Sequence, residues 1–300
     1  MDVLVTVDFM FLYYKYKFII ESGRIRKLSY NGVDTSNIYY PIKEIEGFRK
    51  YWMERGHNVT TAVCFDMPSI RKDDGTEEAE KYKSNRGHKL SDEDFENIIK
   101  CYNILTKAGY NTFRLEGYEA DDIINHIVKN CLAEYDAAVI YTPDADIMVN
   151  IGPKVAVMRY KSSRGYEFVT VNNFETYLSA ELKCEMPYNA LTLYKCTVGD
   201  KSDCIDGIKG FGPAAFNKLV RFLKNNGGTF DPSPNWTYAS LNMAFEAGVL
   251  NEVQFNQSIE SLKLVEPRLI NPELIKVVKN SDTLENRSTA FSEYGMTSLI

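Results

Sequence analysis

The chain has 300 residues, and its 35 Lys and Arg against 41 Asp and Glu give a net charge of −6. Hydrophobic residues make up 44% and charged residues 25%, which excludes a disordered, collagen-like or coiled-coil protein. No apolar run approaches the roughly 18 residues of a membrane helix, and the N-terminus is acidic where a signal peptide is basic, so we expect a cytoplasmic protein without a membrane partner.

Strands and helices alternate through the first half of the sequence. Two β-branched runs each end at an acid, the first at Asp8 and the second at Asp66. Between them, apolar residues recur at helical spacing, and this predicted helix ends at Gly56. A capping-box pattern at Ser91 predicts the start of a further helix. The predicted order is strand 3–7, helix 38–52, strand 59–65, helix 91–109, strand 110–115, helix 118–135 and strand 137–142. This alternation predicts an α/β fold with a mostly parallel sheet flanked by helices.

The second half of the sequence changes character. After about residue 172 the strand signal fades, and helical patterns follow at 172–183, 188–198, 213–224 and beyond 236. The segment 71–90 has almost no apolar residues although it lies between two core elements, so it cannot belong to the core. We interpret it as a functional excursion over the end of the sheet, with a mobile surface loop as the alternative.

Positive charge is concentrated in three stretches of this acidic chain. Residues 81–89, 154–164 and 209–224 each hold four Lys or Arg and no carboxylate. A single basic stretch is usually a solvent-exposed surface. Because the positive charge is clustered in three places, the negative net charge does not exclude a nucleic-acid partner.

Nine acidic residues group at the ends of predicted strands and the starts of predicted helices. They are Asp8, Asp66, Glu119, Asp121, Asp122, Asp144, Asp146, Asp200 and Asp203. Helical spacing places Glu119 and Asp122 on one face, and alternation in an extended stretch would place Asp144 and Asp146 on one side. Because the carboxyl ends of parallel strands share an edge, these acids would repel one another.

Divalent cations relieve such repulsion, and sites made only of carboxylate oxygens select Mg²⁺, with Mn²⁺ as a substitute. Two such ions about 4 Å apart are the usual device for hydrolysing a phosphodiester. The acid pattern therefore predicts a site for two Mg²⁺ ions.

Six groups of residues in a fixed order carry a resemblance. They are Val7-Asp8-Phe9, Phe65-Asp66 with Arg71, Tyr82-Lys83-Ser84-Asn85-Arg86, Glu119-Ala120-Asp121-Asp122, Asp144-Ala145-Asp146, and Gly199-Asp200-Lys201-Ser202-Asp203 with the hairpin Gly207–Gly212. Jointly they resemble the flap endonuclease/5′–3′ exonuclease family, and most of all its stand-alone phage enzymes and the 5′-nuclease domain of bacterial DNA polymerase I. The resemblance spans about residues 1–225.

The resemblance implies a PIN-like nuclease core over 1–185, with a helical arch at about 71–100. It also implies a helical DNA-binding region over 186–300 that contains a helix-3-turn-helix element at about 199–224. A potassium ion at this element is common in the family. Where relatives read Ser-Asp-Asn-Ile-Pro-Gly, this chain has Cys204 and Asp206, a departure that affects the local turn and its ion site.

The resemblance also implies roles for individual residues. All nine acids would hold the metals, with Asp144 adjoining both ions. Lys83 and Arg86, three apart on a helix, would face the same way and reach the scissile phosphate, and Tyr82 could stack on a terminal base. The residues expected to contact DNA are Arg71, Tyr82, Lys83, Arg86, Gly207, Lys209, Gly210, Gly212, Lys218 and Arg221.

The expected function is that of a structure-specific 5′ nuclease of replication or repair, acting as a monomer in a bacterial or phage-infected cell. Its DNA would be branched or 5′-ended, as in a flap or a nick, with an RNA primer as a further possible substrate. A non-catalytic DNA-structure binder would be expected to lack some of these acids, and a PIN-type ribonuclease would have a shorter chain without arch or hairpin. A phosphatase of the haloacid-dehalogenase type needs Asp-x-Asp after the first strand, whereas this chain has Asp8-Phe9-Met10.

Overall fold

The computed structural model describes residues 1–71, 77–84, 90–161, 165–228, 230 and 235–300. Its strands are β1 (Asp2–Asp8), β2 (Ser29–Tyr30), β3 (Val33–Asp34), β4 (Asn58–Phe65), β5 (Asn111–Arg114), β6 (Ala137–Tyr141), β7 (Val155–Lys161), β8 (Gly165–Val169), β9 (Gly199–Asp200) and β10 (Ile205–Asp206). Its helices are α1 (Phe9–Glu21), α2 (Ser36–Met53), α3 (Glu77–Lys81), α4 (Asp92–Lys107), α5 (Ala120–Cys131), α6 (Phe174–Leu182), α7 (Leu191–Val198), α8 (Pro213–Asn225), α9 (Trp236–Glu246), α10 (Glu252–Val265) and α11 (Leu284–Glu293).

The described strands build a central six-stranded sheet in the order β5-β4-β1-β6-β7-β8. Neighbours run parallel except at the edge, where β8 is antiparallel to β7. Most strands run parallel because the intervening helices carry the chain back to the same end of the sheet. The predicted α/β fold with a mostly parallel sheet is confirmed.

Strands β7 and β8 were not predicted from the sequence. The first of them overlaps the basic stretch 154–164, whose Lys and Arg obscure an apolar run at Val155–Met158. Val157 of β7 and Val169 of β8 are buried in the core, and this packing stabilises both segments as strands. Strand formation depends on such packing more than on the intrinsic preference of the residues.

Helices cover both faces of the sheet. Val3, Val5 and Val7 of β1 point into one core, which α1, α2, α4 and α11 line, whereas Leu4 points into the other core with α5 to α10. This division follows the two-residue period of a strand. Among the described residues, no helix is long and apolar enough to cross a membrane.

The C-terminal end of the chain packs beside its beginning. Phe291 of α11 and Leu299 belong to the same buried cluster as the β1 valines. The division of the chain at residue 185 stays a prediction, but the last helix lies with the N-terminal elements. The predicted arch at 71–100 falls partly outside the described residues; its described part contains α3 and the start of α4.

Candidate metal centre

Three parallel strands end in acids at the same edge of the sheet. Strand β1 ends at Asp8, β4 is followed by Asp66, and β6 is followed within three residues by Asp144. Because β1 pairs in parallel register with both β4 and β6, these ends lie side by side. The structure brings the three acids together, as the strand pattern predicted.

Helix α5 adds a fourth acid to this edge. The backbone N–H of Ala120, at the start of α5, donates to Asp66 Oδ1 at 2.6 Å and fixes the helix against the end of β4. The charges of Asp8, Asp66 and Asp144 all act on Asp121. We call Asp8, Asp66, Asp121 and Asp144 the strand-end acids.

Negative charge is crowded at the strand-end acids. Burial raises the pKa of Asp8 to about 7, and the charges of Asp66 and Asp144 add to the shift. Burial also raises the pKa of Asp121 well above its ordinary value, with the charges of Asp144 and Asp8 as further causes. The Thr142 hydroxyl donates to Asp8 Oδ2 at 3.2 Å, and this hydrogen bond offsets only part of the rise in the pKa of Asp8. Such a group is suited to bind a cation.

A second acid group lies where α7 leads into β9. Asp146, Asp200 and Asp203, here called the loop acids, each place a carboxylate oxygen within 4.8 Å of the others. Lys195 of α7 donates to both Asp146 and Asp200, the latter at 2.5 Å. Burial alone would raise the pKa of Asp200, but Lys195 together with hydrogen bonds from Ser202 lowers it below its ordinary value.

The prediction that Asp144 and Asp146 lie on one side is wrong. Asp146 begins a short 3-10 helix instead of continuing an extended stretch, and its backbone N–H donates to Asp144 Oδ1 at 2.9 Å. The turn sends Asp144 to the strand-end acids and Asp146 to the loop acids. One short segment thus contributes to both groups.

Arg71 and Asp122 form a buried pair beside the strand-end acids. Both guanidinium Nη atoms of Arg71 donate to Asp122, at 2.8 and 2.6 Å, and Nη1 also donates to Glu119 at 3.0 Å. Arg71 is only 4% exposed and Asp122 is fully buried. In the structure each of these two side chains is bound by the other, and both line the same cavity as Asp121; the DNA contact of Arg71 and the metal role of Asp122 stay predictions. The predicted shared face of Glu119 and Asp122 is present, and Arg71 binds both.

Tyr82 and Lys83 both contact Glu119, but Lys83 does not lie on the predicted helix. Tyr82 is 3% exposed and its hydroxyl donates to Glu119, and its stacking on a DNA base stays a prediction. Lys83 follows the end of α3 with a left-handed φ of +52°, so it is not on a helix. Its ammonium donates to both Glu119 oxygens at 3.0 Å and lies 3.8 Å from Asp203. Arg86 lies outside the described residues.

The predicted helix-3-turn-helix element, at about 199–224, covers the β9–β10 pair, the hairpin Gly207–Gly212 and α8, and it directly follows α7. Gly210 has a left-handed φ of +78°, and Pro213 occupies the first turn of α8 as predicted. A Cβ on Gly207 would lie 2.2 Å from the backbone of Val198, so its close packing requires glycine. The basic residues Lys209, Lys218 and Arg221 are exposed. Their contact with DNA, and that of Gly207, Gly210 and Gly212, stays a prediction.

Sequence reasoning missed Lys195. It is 7% exposed in a helix whose neighbours Leu193, Tyr194 and Cys196 are all buried. A single lysine inside an apolar helix, five residues before Asp200, was the signal that could have revealed it, because a buried ammonium needs a carboxylate partner.

Comparison with known proteins agrees with this geometry. The sequence model of the family described as "5'-3' exonuclease, N-terminal resolvase-like domain" matches residues 3–179. The 5′-3′ exonuclease of Bacillus subtilis is 28% identical over 226 residues, 73% of this chain and 69% of that protein. The DNA polymerase I of Caldicellulosiruptor bescii is 30% identical over 190 residues, 63% of this chain but only 21% of the polymerase.

Two solved structures share the fold. The bacteriophage T5 5′-exonuclease with bound zinc is 18% identical, with 99% of each chain covered and a TM-score of 0.57. The catalytic core of Rad2 in complex with a DNA substrate is 15% identical, with 98% of this chain and 88% of Rad2 covered and a TM-score of 0.53. The resemblance inferred from the sequence motifs is confirmed. Because the family model matches more than half of the sequence, this chain belongs to the 5′–3′ exonuclease family.

Proposed function

We propose that this protein is a metal-dependent, structure-specific 5′ nuclease, with flap endonuclease and 5′–3′ exonuclease activity on DNA in replication or repair. The observation that supports it is that two carboxylate groups meet in one cavity, which is lined by Asp121 of the strand-end acids and by Asp146 and Asp203 of the loop acids. Membership in the 5′–3′ exonuclease family and the fold shared with nucleases support the same conclusion.

The donor chemistry of both groups fits Mg²⁺. All seven side chains offer carboxylate oxygens, which hard divalent cations prefer. Burial, together with the charges of neighbouring carboxylates, raises the pKa of Asp8 and of Asp121, and a bound cation would favour their ionised forms. Two bound Mg²⁺ ions would supply an activated water and stabilise the leaving oxygen of a phosphodiester, which leaves a 5′-phosphate on the product.

The protein's own residues would then orient the substrate. Lys83 lies between Glu119, which caps the N-terminus of α5, and Asp203 of the loop acids, so its ammonium is placed to contact a phosphate held between the two groups. The exposed Lys218 and Arg221 of α8 would hold duplex DNA through its phosphates. A potassium ion at the hairpin and a monomeric state remain parts of this proposal.

A cleavage assay tests the proposed function. The substrates are a 5′-labelled flap and a nicked duplex, each incubated with Mg²⁺, Ca²⁺ or EDTA. We expect cleavage with Mg²⁺ alone. Asp144→Asn, which removes a strand-end charge, should lower single-turnover cleavage by at least about 100-fold while flap binding in Ca²⁺ stays within about tenfold of wild type.

Two results would contradict the proposal. Flap binding without Mg²⁺-dependent cleavage by the wild-type protein would indicate a non-catalytic DNA-structure binder. Near-normal turnover of Asp144→Asn would remove that residue from the site.

A further inference from the structure

Helix α10 lies more than 45 residues beyond the last loop acid in sequence, yet it contacts the loop that carries the loop acids. Ser261 donates its hydroxyl to the carbonyl oxygen of Asp206 at 3.0 Å. Gln257, one turn earlier, donates its side-chain amide to the carbonyl oxygen of Gly207 at 2.8 Å. Both bonds go to backbone of the segment that directly follows Asp203, so they restrain its path.

The same helix contacts the base of the predicted arch. Leu264 of α10 packs with Tyr82 and with Ile205 of β10 in one small buried cluster. The backbone N–H of Lys83, next to Tyr82, donates to the carbonyl oxygen of Asp203 at 2.9 Å. The arch base, the loop-acid segment and α10 are therefore packed together.

The turn after α10 contacts the other side of the site. The carbonyl oxygen of Glu266 accepts from Arg71 Nη2 at 3.1 Å. The backbone N–H of Arg268 donates to Asp122 Oδ1 at 2.7 Å. These bonds hold the Arg71–Asp122 pair, which in turn binds Glu119 at the start of α5. Asp121 follows Glu119 by two residues, so the turn also restrains a strand-end acid.

We propose that residues 252–268, here called the α10 brace, position both carboxylate groups of the site. The brace binds the loop-acid segment through two side chains of the helix and the start of α5 through the turn. It thereby holds the two groups at a fixed separation. The inference rests on the proposed function, since the separation matters for two cations bound to one substrate, and it assigns a role to a region beyond the matched residues 3–179.

The side chains of Gln257 and Ser261 provide the test. The double variant Gln257→Ala plus Ser261→Ala removes both hydrogen bonds to the loop-acid segment and leaves every acid in place. We expect its Mg²⁺ dissociation constant, measured by calorimetry without DNA, to rise by about tenfold, at the lower end of the effect of removing outer-shell partners. Single-turnover cleavage at low Mg²⁺ should fall in parallel and recover at high Mg²⁺.

Two further variants separate positioning from general destabilisation. Asn256→Ala removes an exposed amide from the neighbouring position of α10 and should leave Mg²⁺ affinity unchanged. Ser261→Thr keeps the hydroxyl and, combined with native Gln257, should bind Mg²⁺ within about twofold of wild type. Thermal unfolding of each metal-free variant shows whether it is folded, and the single alanine variants replace the double one if it is not.

A folded double or single alanine variant with wild-type Mg²⁺ affinity would overturn the brace. So would an equal loss of affinity in Asn256→Ala. Failure of the proposed function looks different, because the wild-type protein itself would then not cleave the flap with Mg²⁺.

Discussion

At the scale of single residues, two lysines neutralise part of the charge of the acids. Lys195 binds Asp146 and Asp200, and Lys83 binds Glu119 and approaches Asp203. The strand-end acids receive less compensation, which is why burial and mutual repulsion raise the pKa of Asp8 to about 7. The two groups should therefore respond differently to pH and to metal.

The raised pKa of Asp8 predicts a pH-dependent stability of the metal-free protein. Folded Asp8 keeps its proton up to about pH 7, whereas the unfolded carboxyl loses it near its ordinary value of 3.8. Since the folded state binds more protons between these values, stability should fall as pH rises towards 7. We expect the Tm without metal to drop by on the order of a few degrees between pH 5.5 and 7.5.

Saturating Mg²⁺ should reduce this drop, because the ion replaces the proton. Calorimetry in buffers of different ionisation enthalpy should detect proton release on Mg²⁺ binding below pH 7. A metal-free Tm that rises steadily over the same pH range would contradict the assignment.

Lys83 provides a second prediction at this scale. If its ammonium contacts the scissile phosphate as charge builds on the oxygens, Lys83→Ala should lower single-turnover cleavage by about 10²–10³-fold. DNA affinity should fall only a few-fold, because other cations share the backbone. Lys81→Ala, an exposed lysine two residues earlier, is the matched control. Cleavage by Lys83→Ala above about a third of the wild-type rate would shift this role to Arg86 or Arg71.

At the scale of elements, α7, the hairpin and α8 connect the loop acids to a basic surface. The close approach of Gly207 to Val198 fixes the hairpin against the end of α7. Lys218 and Arg221 are three residues apart on α8 and are exposed, while Leu219 and Val220 between them are buried. A helix with this pattern presents its cations on one side.

Lys218→Ala combined with Arg221→Ala should weaken duplex binding and reduce the slope of log affinity against log salt by about one to two units. Turnover at saturating DNA should change little. Fluorescence anisotropy between low and moderate salt measures the slope. Arg55→Ala combined with Lys107→Ala removes two exposed cations elsewhere and should leave the slope unchanged. Equal slopes for all three proteins would exclude α8 from the DNA-binding surface.

At the level of the whole molecule, buried ion pairs join the C-terminal region to the N-terminal core. Asp282 pairs with Arg49 of α2 and lies 3.7 Å from Arg287 of α11. Glu46 of α2 completes the group and accepts from Tyr110. These residues are all at most 8% exposed, so each charge depends on its partners.

Asp282→Ala should therefore destabilise the protein by about 3–5 kcal/mol, because it leaves the buried Arg49 and Arg287 to share the remaining carboxylate of this group, that of Glu46. Denaturant unfolding measures the loss, and Mg²⁺ affinity of the folded variant should stay unchanged. Glu293→Ala breaks the exposed pair with Lys107 and should cost at most about 1 kcal/mol. Similar losses for the two variants would mean that the buried group contributes little.

Local patterns in the sequence are enough to predict the mostly parallel sheet and the edge at which three of the acids meet. Apolar residues that recur every two or every 3.6 positions form a local pattern that can be read from the sequence. This pattern predicted strands β1, β4, β5 and β6, and a local motif predicted the capping box at Ser91. Asp8, Asp66 and Asp144 then lie at one edge of the sheet, because strands that run in the same direction have their carboxyl ends at the same edge.

The division of the acids into two groups depends on packing between distant parts of the chain. Asp144 and Asp146 diverge because a 3-10 helix begins at Asp146, and Asp122 pairs with an arginine 51 residues away. The contact of Arg71 with Glu266 joins residues 195 apart. No local sequence pattern predicts such partners. A buried charge needs an opposite charge nearby, and which residue supplies it depends on how distant parts of the chain pack together.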